Sequence, residues 1–321
     1  MRKNCGRNPC VEFTYWEVSM KSFDRILLAL LTLGIAAGVS AQELTGTLKK
    51  IKDTGTITIG YRDASIPFSY LDDSQKPIGY SMDLCYKIVD AVKAQLKLPD
   101  LKVALQPVTS ATRIPLIANG TVDMECGSTT NNLERQQQVS FVVTTFVTAN
   151  RLMSKSKSKI VNLEDLKGKT LVSTSGTSNL KQVTELNGTK NLGINIVAAS
   201  DHPAAFQMVE SDRAAAFAMD DILLYSLVAQ SKNPADYYIS TVQLSTEPYG
   251  IIVRKGDPDF KKVADGAITA VMKSGEINKI YAKWFLSPIP PKNGNLNVPM
   301  SDTLKKVVAN PTDSGDPAAY K

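Results

Sequence analysis

Strand-like and helix-like segments alternate along this chain almost without interruption, and that rhythm limits the folds open to it. Thr56–Tyr61 alternates as a strand does, residues 81–96 carry apolar side chains at helical spacing, and 102–108 are again extended. After a short helix following Arg113 come a strand at 122–125, TLVST, the helix LKQVTELNG and the strand INIVAAS. The helix PAAFQMVESD, the strand AAAFAM and the helix DILLYSLVAQS continue the pattern. A βαβα order predicts an α/β protein whose mainly parallel sheets are covered by helices. Two segments break the rhythm by running extended for longer: FVVTTFVTANRLMSK and TVQLSTEPYGIIVRK. Each is flanked by complete βα units, so both read as crossings between two lobes, out near Val147 and back near Leu244. One lobe is then discontinuous (42–146 plus 245–321) and the other is 147–244. Paired crossings make a hinge suited to closure around a ligand.

The N-terminus points to export. From Met20 the chain reads MKSFDRILLALLTLGIAAGVSAQ: Lys21 and Arg25, an apolar run over 26–39, then Val39-Ser40-Ala41 before Gln42. This is the pattern of a cleavable signal peptide over 20–41. The run is shorter than the roughly 20 residues that cross a bilayer. No cysteine stands at the cleavage point, so the product is expected free in the periplasm and not lipid-anchored. Residues 1–19 fit neither leader nor domain and read as a start-site artefact.

Composition excludes other classes. The chain has 321 residues and a net charge of +6, with no basic tract dense enough for nucleic acid. Its single histidine and four cysteines lack the spacing of a metal site, and no cofactor is expected. Cys5 and Cys10 fall in residues 1–19, ahead of the signal peptide, which leaves Cys85 and Cys126 to enter an oxidising compartment. Buried free thiols would suit their apolar settings; the even count after export favours a disulfide. The sequons at Asn119 and Asn187 read as N-G turns.

Three arginines stand among small hydroxyl residues at strand ends, where open α/β sheets bind ligands: Arg62 in GYRDASIPFSY, Arg113 in TSATRIPLIANGTVD and Arg135 in ECGSTTNNLERQQQVSFV. A guanidinium is a rigid fork that matches a carboxylate and stays charged. Three converging forks would suit a small molecule with more than one carboxylate. Ser175-Gly176-Thr177 opens a helix, whose free N–H groups suit an anion as well as a cap. Asp221 fits the cap position before DILLYSL.

Taken together, GYRxxSxPFSY, TSxxRIPxIxNGTxDxECGSTTNNxERxxxxxF, TSGT, the DH pair, FxMDD and KWFxxPIPPKN resemble the periplasmic amino-acid-binding proteins of bacterial ABC transporters. The likeness runs over about 42–310 and lies with the branch that takes glutamate and aspartate. It implies a two-lobed type II binding fold and a monomer that passes its ligand to a membrane permease. By that likeness Arg135, with Thr130, clamps the α-carboxylate, while Asp220 and Ser128 accept the ammonium group. Arg62, Arg113, Ser110 and His202 would read the side-chain carboxylate, and Thr177 would touch the ligand. A protonated His202 would make acidic-ligand affinity fall as that proton is lost. An exported enzyme on the same scaffold, such as a dehydratase acting on a carboxylated ring, is the rival. It would need a placed general acid or base, whereas here the acids serve an ammonium partner. Exported material is expected to begin at Gln42 and to lack Cys5 and Cys10; N-terminal sequencing checks this, and an intact Met1 start would overturn it.

Overall fold

The structure, a computed structural model, describes residues 43–321. The leader, its cleavage site, Cys5 and Cys10 lie outside the described residues. The chain enters through α1 (Gly46–Thr54) and β1 (Thr56–Tyr61), then folds a short meander of β2 (Ala64–Ser65), β3 (Ser69–Leu71) and β4 (Pro77–Ile78). Next come α2 (Tyr80–Leu96), β5 (Lys102–Pro107), α3 (Arg113–Ala118), β6 (Met124–Cys126) and β7 (Val139–Phe141). The long strand β8 (Phe146–Lys155) leads to β9 (Thr170–Thr174), α4 (Ser178–Thr189), β10 (Asn195–Ala199) and α5 (His202–Glu210). Then follow β11 (Ala216–Asp220), α6 (Asp221–Gln230), β12 (Tyr237–Ile239), β13 (Ser245–Tyr249) and β14 (Ile252–Arg254). The chain closes with α7 (Pro258–Lys273), α8 (Glu276–Phe285), the hairpin β15 (Pro288–Ile289) and β16 (Gly294–Asn295), and α9 (Asp302–Ala309).

Within these residues two large sheets form. One has the order β5-β1-β6-β14-β7; the other has β10-β9-β11-β8-β12, with β13 also on β8. Strands joined by a covering helix pair in parallel: β1 with β5 and β6, and β9 with β10 and β11. The sheets are mixed rather than parallel throughout, because strands that arrive from the other lobe run the opposite way. So β14 lies antiparallel to β6 and β7, and β8 lies antiparallel to β11 and β12. The two long extended segments pair with each other, from Ser245 opposite Asn150 to Tyr249 opposite Phe146. They are the covalent links between the sheets.

An aromatic cluster fixes the root of those links. Phe146 and Tyr249, cross-strand partners with rings 6.0 Å apart, pack with Phe68, whose centroid is 4.9 Å from Phe146 and 5.1 Å from Tyr249. Phe285 stacks on Phe146 at 5.0 Å and on Tyr281 at 4.4 Å. Such pairs are worth about 0.5–1.5 kcal/mol each beyond the area they bury. The helix bearing part of this core starts abruptly. Gly79 before α2 sits at φ +138°, and a Cβ there would lie 2.2 Å from the Phe68 carbonyl oxygen, so only glycine fits.

The last residues, without regular periodicity, still bind tightly. The Thr312 carbonyl accepts from Thr144 N at 2.7 Å, the Asp313 carbonyl accepts from Asn131 Nδ2 at 2.8 Å and from Gln136 Nε2 at 2.9 Å. Buried Tyr320 shares a 2.7 Å hydroxyl contact with Thr144. Residues 311–321 thus strap the loop between β6 and β7 to the start of β8.

Cys85 of α2 and Cys126 of β6, both fully buried, are joined by a disulfide whose Cα atoms are 6.2 Å apart. It closes a separation of 41 residues. Constraining a loop of that length in the unfolded chain stabilises by on the order of 3–4 kcal/mol. The Cys85→Ser/Cys126→Ser double variant should lose up to that amount in a denaturant titration; equal midpoints would show that the bridge does not stabilise.

Candidate functional site

The functional side chains stand where strands end. Arg62 follows β1 directly, and its N–H donates to Ser69 Oγ at 2.8 Å, which pins the turn. Ser110 and Arg113 come from the β5–α3 connection, with Arg113 N bonded to the Thr109 carbonyl. Ser128 and Thr130 lie in the loop after β6, and Arg135 begins a single 3₁₀ turn whose N–H is held by Asn132 Oδ1 at 2.8 Å. From the second sheet, Thr177 caps α4, its Oγ1 accepting from Leu180 N at 3.2 Å. His202 opens α5 after the cap Asp201, and Asp220 ends β11. All nine are buried, from 2% exposure at Arg113 and Asp220 to 9% at Thr177.

Seven of the nine line one narrow cavity of about 10 Å³: Ser110, Arg113, Ser128, Thr130, Thr177, His202 and Asp220. That is room for scarcely one water, so an amino acid can enter only if the lobes part. Arg62 and Arg135 stand outside this lining but belong to the cluster. Arg62 acts electrostatically on Arg113 and His202, and Arg135 Nη1 donates to the Thr130 carbonyl at 2.8 Å. The lobes are latched across the cavity. Arg135 Nη2 donates to the Gly176 carbonyl at 3.2 Å, and Ser178 Oγ reaches both Glu247 at 2.8 Å and Thr130 Oγ1 at 3.3 Å. Lys181 pairs with Glu134 at the rim. The approach is closest at Gly176, φ +75°, where a Cβ would stand 2.5 Å from Ala111 Cα.

Burial dominates the electrostatics. It pushes the guanidinium pKa of Arg62 and that of Arg135 down to about 10, helped in both by the charge of Arg113. Arg113 is pushed down by the same desolvation. All three remain charged at neutral pH. Fully buried Glu125 offsets each of them, with its Oε2 held by Thr129 Oγ1 at 2.6 Å. Even so, Arg62 Nη1, Arg113 Nε, Ser110 Oγ and His202 Nε2 are buried without a hydrogen-bond partner, as is one acceptor, Glu125 Oε1. Unpaired buried polar atoms cost roughly 1–3 kcal/mol each, more for charged groups. An acceptor-rich, negatively charged group would satisfy the donors together.

His202 departs from expectation. Burial, then the charges of Arg62 and Arg113, hold its pKa well below the usual 6.5, so in the closed cavity it is neutral near neutral pH. Its Nδ1 meets Thr174 Oγ1 at 2.8 Å. If that hydroxyl donates, Nε2 carries the proton and faces the cluster as a neutral donor. The titration expected of His202 therefore passes to Asp220. Burial, then the charge of Glu247, raises the Asp220 carboxyl to about 7. It accepts from Asn179 Nδ2 at 2.7 Å and from the Tyr249 hydroxyl. Asp221 is not the cap of α6 but its first residue, and it accepts from Arg151 Nε at 2.9 Å.

Sequence reasoning passed over Glu125, Ser178, Asn179, Glu247 and Tyr249. Glu125 and Ser178 each stood beside a recognised residue in ECGSTT and SGTSN. Glu247 and Tyr249 lay in a segment read only as a crossing.

Two facing half-sites, one rich in cationic donors and one with a buried carboxylate, are thus carried on two hinged α/β lobes. Residues 57–287 match the model of the bacterial extracellular solute-binding proteins, family 3. The chain belongs to this family. Its architecture is the two-lobed type II periplasmic binding fold, and as a family member it is an exported solute-binding protein. It is 57% identical to an L-glutamate/L-aspartate-binding protein of Pseudomonas aeruginosa, over 89% of this chain and 95% of that one. It is 46% identical to the glutamate/aspartate import solute-binding protein of Escherichia coli K12, over 91% and 97%. An ancestral arginine-binding protein solved with arginine superposes with a TM-score of 0.65 at 30% identity, covering 72% of this chain and 98% of its own.

The raised Asp220 carboxyl has a consequence for any ammonium ligand. A cation arriving there displaces the proton and returns the pKa towards the ordinary carboxylate range. Affinity should therefore fall as pH drops from 8 to 6, with proton release on binding approaching one half near pH 7. Titration calorimetry in buffers of differing ionisation heat measures this. Proton release that is unchanged in Asp220→Asn would assign it elsewhere.

Proposed function

We propose that this protein captures L-glutamate and L-aspartate between its lobes and delivers them to the membrane permease of an ABC transporter. The observation that carries the proposal is the set of unpaired buried polar atoms, Ser110 Oγ, Arg113 Nε and His202 Nε2, on residues that share a cavity with the buried carboxylate of Asp220, with unpaired Arg62 Nη1 beside them. A dicarboxylic amino acid carries the complementary charges. Its side-chain carboxylate takes the first set, its ammonium group takes Asp220 with Ser128, and its α-carboxylate takes Arg135 and Thr130. Thr177 closes over it from α4. Relatives named for glutamate and aspartate support this choice of ligand.

The lobes are 42–146 plus 245–321, and 147–244, turning about β8 and β13. Closure strips water from the ligand's charges, so donors must already be in place to offset that cost. The protein works as a monomer in the periplasm after removal of a signal peptide at 20–41, without a lipid anchor. No covalent step is part of this function. Asp220, the acid nearest to a catalytic pKa, is committed to Asn179 and Tyr249. NMR of the protein incubated with glutamate should show bound ligand and no product; turnover would restore the enzyme reading.

The two ends of the ligand can be separated by mutation. Losing one arginine of a buried charge pair costs roughly 2–5 kcal/mol of affinity. Arg113→Met should impose that loss on glutamate and aspartate and spare glutamine or any other neutral amino acid that binds. Arg135→Met should weaken all of them alike. A calorimetric panel on both variants tests the assignment, and equal losses for glutamate and glutamine in Arg113→Met would reverse it.

A further inference from the structure

We propose that the cleft continues, beyond His202 and Leu223, into an apolar annex that admits a hydrophobic group carried on the γ-carbon of a dicarboxylic amino acid. The proposal rests on the reading of the ligand given above. His202 and Leu223 line both the ligand cavity and a second cavity of about 140 Å³, which is bounded on the first lobe by Ala64, Ile66 and Tyr70 and on α6 by Leu227. The annex is bounded by Asp63 and Ala64, the residues that follow Arg62, and by His202, which puts it at the end of the ligand assigned to its side-chain carboxylate.

Its walls offer little to a polar occupant. The Tyr70 hydroxyl is taken up by the Pro290 carbonyl at 2.9 Å, and Ser226 Oγ donates to the Ile222 carbonyl at 2.8 Å within its own helix. Of the remaining polar groups, Asp63 and Gln230 come from an exposed and a half-buried residue, and His202 stands at the junction with the main cavity. Beside Gln230 the mouth is narrowed where Lys292 Nζ donates to the Gln230 carbonyl from the opposite lobe. An apolar cavity of about 150 Å³ is known to hold a benzene ring, so this one is of a size for a phenyl or a branched alkyl group.

The charges of the main cavity decide where that group must be attached. An ester or amide on the side-chain carboxylate would remove the charge that Arg62 and Arg113 need, and would leave both with Glu125 as their shared counter-charge. A substituent on the γ-carbon keeps both carboxylates and can pass between His202 and Leu223. The ligand class is therefore the γ-substituted glutamates, with glutamate and aspartate as members that leave the annex unfilled.

The test compares L-glutamate with the two 4-epimers of 4-benzyl-L-glutamate by calorimetry on wild type and on Leu227→Trp, which fills the annex from α6. Wild type should bind one epimer within about tenfold of glutamate, because the ring regains in apolar contact what its passage costs. Leu227→Trp should weaken that epimer at least about tenfold and move glutamate by less than about twofold. Ala64→Phe fills the annex from the other lobe and should give the same pattern if the tryptophan variant proves unstable. Wild type that binds glutamate and rejects both epimers would overturn the annex and leave the main site intact. Equal losses for glutamate and the epimer in both variants would also overturn it. Failure to bind glutamate at all would bring down the underlying reading, and the annex with it.

Discussion

Three guanidinium groups are buried in one cluster, and the rest of the structure answers to that burden. Each is pushed below its usual pKa by lost hydration, and each is still charged. The protein answers with fixed partners: Glu125 acts on all three, and the carbonyls of Thr130 and Gly176 take the Arg135 fork. The compensation is incomplete at Arg62 and Arg113. Donors left unpaired in this way would favour a ligand that supplies acceptors to them, since unpaired buried groups are costly.

The hinge and the site are one piece of covalent structure. Tyr249 pairs with Phe146 at the root of the crossing strands, sits in the aromatic cluster and donates its hydroxyl to Asp220. Glu247, two residues earlier, accepts from Ser178 at the start of α4. A group that binds at Asp220 therefore competes for partners anchored on β13. The buried carboxylate and the crossing strand thus touch directly, with no long relay between them.

Much of this was legible in the sequence, for reasons particular residues make plain. The βα alternation follows from local periodicity, and the mixed sheets follow from the crossings that interrupt it, since β8 and β14 must enter their sheets reversed. Arg62, Arg113 and Arg135 could be singled out because arginine at a strand end is chemically loud. Glu125 and Glu247 were quiet: a carboxylate announces nothing until the folded chain sets it beside a guanidinium far away in sequence. The charge state of His202 was misread for the same reason, since the arginines that suppress its proton come from the other lobe. Asp221 was taken for a cap because its true partner, Arg151, lies on β8.

The strap formed by the C-terminal residues has a bearing on the order in which the molecule comes into being. The first sheet cannot close until β14 arrives, after the whole second lobe has been made. The loop bearing Thr130 and Arg135 is tied down only when Asp313 and Tyr320 reach Asn131, Gln136 and Thr144. A chain that emerges from its N-terminus therefore completes its cleft with its final residues. Until residues 311–321 are in place, the loop that carries Thr130 and Arg135 lacks these hydrogen bonds.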